Sequence, residues 1–146
     1  MVTASGTISS SSAAALAEAG KGKLRVCVAD LDLQAGEVAA YAGVATPVTV
    51  SALIEAGDRL DDDLVSSAII ETRHGFSLVA APDAILPLDI VDSDHVEQIV
   101  TALRRKFDIV LIDLPAAWTN WSLSLATGAT GILVVAVSSI SSLKQA

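Results

Sequence analysis

The chain has 146 residues, a formal net charge of −8, 52% hydrophobic residues and only 3% aromatics. That length allows one domain, or a piece of one, with a single core of Ala, Val, Leu and Ile. The acidic balance argues against nucleic acid as a direct partner, and no apolar run approaches the ~20 residues that span a bilayer.

In chain order, residues 1–12 are small and polar and read as a flexible Ser/Thr-rich tail, with an unbroken serine run from Ser9 to Ser12. Residues 3–17 lack the basic start and apolar heart of a secretory signal, so a cytoplasmic location is expected. Residues 13–19 are strong helix formers closed by Gly20. Residues 24–29 are almost all apolar and predict a strand buried on both faces. The single cysteine, Cys27, sits inside this run; it excludes an intramolecular disulfide and reads as a small buried hydrophobe.

Residues 36–43 predict a brief helix with Val38 and Tyr41 on one side, and residues 51–56 another, stopped by Gly57. The run Asp61, Asp62, Asp63 resembles a metal cluster, but Leu64, Val65, Ala68 and Ile69 follow it at helical spacing. Acidic residues at a helix start are favoured by capping and by the macrodipole, and that is the preferred reading. Residues 76–81 predict a strand closed by Pro82. A longer helix starts at Ser93 or Asp94, with Asp94 and Glu97 spaced as a capping box. Its apolar stripe is Val96, Ile99, Val100 and Leu103, and Arg104, Arg105 and Lys106 suit its last turn. His74 and His95 have no Cys or His at ligand spacing and read as surface residues. Residues 107–113 form a second apolar strand, and a loop with Trp118 and Trp121 follows. A short helical run at 123–126 then leads to a strand at 131–137 and the first turns of a helix at 140–146.

Strand and helix alternate, which predicts an α/β, three-layer fold with a mainly parallel sheet and helices on both faces. Val26, Val28, Leu78, Ile109, Leu111, Leu133 and Val135 are expected inside the sheet. The two most apolar strands both run into carboxylates, Asp30 and Asp32 after the first and Asp113 after the second. Ligands of open α/β sheets bind at the carboxyl ends of strands, so these acids suggest a hydrated Mg²⁺ beside a phosphate there.

Residues 30–37, Asp-Leu-Asp-Leu-Gln-Ala-Gly-Glu, resemble the segment after the second strand in the MinD/ParA-type deviant-Walker P-loop ATPases. They look most like the pilus-assembly, CpaE/TadZ-like branch. The likeness continues through Asp58-Arg59-Leu60-Asp61, Gly75 to Pro82, Phe107 to Pro115 and Trp121-Ser122-Leu123, and so covers roughly residues 13–146. It implies a partial P-loop NTPase-like domain over 13–146, incomplete at both ends, with ATP and Mg²⁺ as cofactors. By resemblance Asp32 is the catalytic carboxylate that positions the attacking water. Asp113 is the Walker B aspartate that reaches the metal, and Asp30 lies beside it as a cofactor-binding residue. For each aspartate the alternative is a strand-end residue capping the next element. The family also implies self-association, partners in pilus, secretion or polarity machinery, and a cytoplasmic, polar or membrane-peripheral place.

The family opens with a buried strand and a Gly-rich loop carrying lysine, whose amides cradle phosphate. Here no apolar strand is legible before Ala13, and the first lysine is Lys21. Ser5-Gly6-Thr7 falls about where the loop would end but brings no charge. Lys21 and Lys23 precede the first strand, at the opposite edge of the sheet. The chain alone is therefore expected to be inactive as an ATP hydrolase. A non-hydrolysing pseudo-ATPase scaffold is the alternative. A receiver-like phosphoacceptor, using Asp113, Ser138 and Lys144, is the remaining one, disfavoured by the roughly 80 residues between Asp32 and Asp113.

Overall fold

A computed structural model of the chain describes residues 2–3 and 6–135. The elements are β1 (Val2–Thr3), α1 (Gly6–Ala19), β2 (Val26–Asp30), α2 (Val38–Ala42), α3 (Val50–Ala56) and α4 (Asp62–Ala68). Then come β3 (Ile69–Glu71), β4 (Ser77–Val79), α5 (Ser93–Lys106), β5 (Ile109–Asp113) and α6 (Asn120–Thr127). The five strands lie in the order β1-β5-β2-β4-β3. All neighbours are parallel except β3 and β4, which form an antiparallel hairpin at one edge. The expected three-layer α/β architecture is therefore present.

The sheet separates two cores, because its inner strands are apolar on both faces. Val26, Val28, Leu78 and Leu111 face α1 and α2, while Cys27, Ala29, Val79 and Ile112 face α3, α4, α5 and α6. Burial pushes the Cys27 thiol up to about 12, so it remains a neutral, packed group. At the amino edge Arg25 closes β2 on β5. Its guanidinium and its backbone N–H both donate to the Asp108 carboxylate, at 2.8 Å each for the two shortest bonds.

Helix α1 begins well before residue 13 and takes in the serine run. Ser9, Ala13 and Ala17 recur every fourth residue, and all three are buried. Small side chains on one stripe let the helix approach the sheet closely, which a count of polar residues does not reveal. A strand also precedes α1: β1 pairs with β5 through Val2 with Ile112 and Thr3 with Asp113. At two residues it is too short to show a period.

Several local expectations are corrected. In α2 it is Val38 and Ala42 that are buried, whereas Tyr41 is half exposed. Asp94 does not cap α5; Asp92 does, its side chain accepting from the Asp94 and His95 amides at 2.8 and 3.4 Å. Ile69 does not continue α4 but starts β3, since the hairpin pairs Ile69 with Val79. The strand expected at 131–137 is reduced, within its described part, to one bridge residue at Ile132. Leu133 is consequently 37% exposed rather than buried, and Val135 and Ile109 are half-buried. Residues 136–137, the expected helix at 140–146, Ser138 and Lys144 lie outside the described residues.

The capping assigned to the triple-aspartate run is present: the Asp61 carboxylate accepts from the Leu64 amide at 2.8 Å. Among the described residues no helix is long and apolar enough to cross a membrane.

Candidate functional site

The carboxyl ends of β2 and β5 bring two of the three sequence-nominated aspartates together. Asp30 and Asp113 are register partners on adjacent strands, and both side chains are buried. Two carboxyls this close and this dry resist ionising together. Burial first, and the Asp113 charge second, push Asp30 up to about 7. Asp30 thus holds its proton well above the usual carboxylate range.

Its oxygens are already engaged. Oδ1 accepts from the Asp32 amide at 3.2 Å, and Oδ2 accepts from the Val38 amide at 3.1 Å. Asp32 sits two residues on, half-buried, with its Oδ1 accepting from the Gln34 and Ala35 amides at 3.3 and 3.1 Å. This is the local side-chain-to-backbone bonding that aspartate favours in turns. The backbone threads the same point: the Leu31 amide bonds the Asp113 carbonyl at 2.9 Å. Farther along, the Leu33 carbonyl accepts from the Leu86 amide at 3.0 Å. Gly36 completes the turn, because a Cβ there would lie 2.2 Å from the Ala81 Cβ and 2.9 Å from Asp30 Oδ1. Sequence reasoning missed Gly36 and Ala81 as members of the site. The spacing of Gly36 from the two aspartates was the available signal.

After β5, Leu114 and Pro115 are buried and Trp118 is largely exposed. Trp121 is buried and donates its indole N–H to the Leu88 carbonyl at 3.2 Å. That bond fixes the start of α6 against the turn Leu88–Ile90 beside the same edge.

No protein-family model matches the chain, and no curated protein does. Solved structures do. A ParA family ATPase from Chlorobium tepidum TLS superposes with a TM-score of 0.78 at 18% identity, covering 99% of this chain and 63% of that one. The chain has the ParA/MinD fold. The septum site-determining protein MinD of Pyrococcus horikoshii OT3, complexed with Mg-ADP, gives 0.76 at 19% identity, covering 99% and 60%. The MinC:MinD cell division complex of Aquifex aeolicus gives 0.74 at 19% identity, covering 99% and 58%. The chain thus spans 58–63% of the length of these proteins.

Set against the Mg-ADP of the Pyrococcus horikoshii MinD complex, the donor set here is a poor fit for a magnesium-bound phosphate chain. Asp30, its carboxyl raised to about 7 by burial and by Asp113, is only partly ionised at neutrality and has both oxygens bonded to backbone amides. Only two residues separate β1 from α1, and α1 carries no basic residue from Gly6 to Ala19. Lys21 and Lys23 lie between α1 and β2, at the amino edge. Among the described residues no three His, Cys, Asp or Glu are grouped to hold a metal ion.

Proposed function

We propose that this chain is a partial MinD/ParA-like domain of the CpaE/TadZ-like kind. In its full-length protein it serves to position or assemble a bacterial pilus, secretion or other polar structure from the cytoplasm. Within that reading the chain acts as a non-hydrolysing binding and localisation module rather than as an ATPase. Self-association of the full-length protein and contact with pilus, secretion or polarity proteins follow from the family resemblance.

The observation that carries the non-hydrolysing reading is that α1, from Gly6 to Ala19, brings no cation to the sheet. Phosphoryl transfer relies on fixed amides, a cation and a metal around the transferred group. A helix without cations supplies little of this. The hydrolytic reading keeps one support: Asp32 and Asp113 lie at the same sheet edge, and the family resemblance implies water-positioning and metal-binding roles for them.

Titration calorimetry with a non-hydrolysable ATP analogue and Mg²⁺ tests the choice. Binding is expected to be absent, or weaker than about 1 mM. Micromolar binding that Asp113→Asn abolishes would overturn the proposal and restore the ATPase reading.

A further inference from the structure

We infer that Asp30 is a positioning residue for the loop between β2 and α2, and that it does not serve as a ligand for a cation or a phosphate. The loop is built around its carboxyl. One oxygen fixes the backbone of Asp32, and the other takes the amide of Val38, the first residue of α2. Helix α2 needs that acceptor, because Glu37 at its N-cap makes no side-chain capping bond. An amide at a helix start that is buried without a partner is unfavourable, and Val38 is fully buried. Asp30 therefore caps α2 from eight residues away, across the turn that carries Asp32.

Gly36 and Ala81 are the other half of the device. The turn lies so close to Asp30 and Ala81 that no side chain fits at position 36. The pattern Asp-x-Asp-x-x-x-Gly then has a division of labour. The first aspartate holds the loop, the glycine lets it close, and Asp32 is left at the sheet edge with a fixed backbone. Each oxygen of Asp30 already holds one backbone amide, so a cation at this carboxyl would compete with those two bonds for its charge.

Amide exchange followed by NMR on the full chain tests this separately from nucleotide binding. Asp30→Ala should speed exchange at Asp32 and Val38 roughly tenfold or more relative to the β5 amides. Asp32→Ala should leave the Val38 amide as slow as before, and Gly36→Ala should loosen it although every carboxylate is retained, because the added Cβ crowds Ala81 and Asp30. Should Asp30→Ala fail to fold, the unaltered chain still gives a result. Adding Mg²⁺ alone to millimolar concentration should leave Val38 exchange unchanged. Faster Val38 exchange with Mg²⁺ would overturn the inference, as would slow exchange retained at both amides in Asp30→Ala.

Discussion

Asp30 and Asp108 set opposite limbs of one pH profile. Folded Asp30 titrates at about 7, above its ordinary range, because it is desolvated and faces Asp113. The folded chain then binds more protons than the unfolded one between about pH 4 and 7, so stability falls as pH rises through that window. Asp108 is the reverse case. Hydrogen bonds from Arg25 hold it down to about 2. Its contribution is present above the ordinary carboxylate range and is lost as pH falls toward 2, weakened by solvent because the pair is exposed. Thermal melts across pH should therefore peak in acid, near the ordinary carboxylate range at about pH 4. Asp30→Asn should flatten the neutral limb, and a limb unchanged in that variant would show that another group causes it.

Among the elements, α5 offers the cleanest separation of two neighbouring acids. Asp92 accepts from two amides of the first turn, whereas Asp94 lies inside the helix. Asp92→Ala should destabilise by about 1 kcal/mol, and Asp94→Ala by a few tenths at most, in urea or thermal unfolding. Equal losses would mean that charge near the helix end matters more than the bonds. The same helix shows what the sequence could convey. Its stripe of Val96, Ile99, Val100 and Leu103 has a strong period and is buried as that period implies. The cap escaped notice because Asp92 and Asp94 are chemically identical, and only backbone geometry separates them. Strand β3 escaped because Ile69 continues the spacing of α4, and three residues give no alternation to count. At the site, Asp30, Asp32 and Asp113 were legible as acids ending apolar runs. The direction of each carboxyl, and the closeness of Gly36 to Ala81, arise only from packing.

For the molecule as a whole, the weakest ground lies beyond β5. Strand β1 pairs with only its last two residues, and Ile132, Leu133 and Val134 stand exposed one after another. Consecutive exposed apolar residues favour association. The chain should therefore be marginal alone and prone to self-association, as sedimentation at rising concentration would reveal. Ile132→Ser with Val134→Ser should reduce association with little loss of melting temperature. A soluble monomer that unfolds cooperatively, with an ordinary urea slope of about 1–3 kcal/mol/M, would count against this view.

The pairing of β2 with β5 also has a meaning in time. Arg25 and Asp108, which fasten the two strands, are separated by 83 positions. At roughly 5–20 residues per second, the ribosome takes about 4–17 s to make that interval. Throughout it, Val26, Cys27, Val28 and Ala29 have no central partner strand, and only the β4 side can be satisfied once Ser77–Val79 has emerged. A nascent chain of this protein thus displays an apolar strand for seconds before its central neighbour exists, which makes residues 26–29 a natural holding point for a chaperone during synthesis.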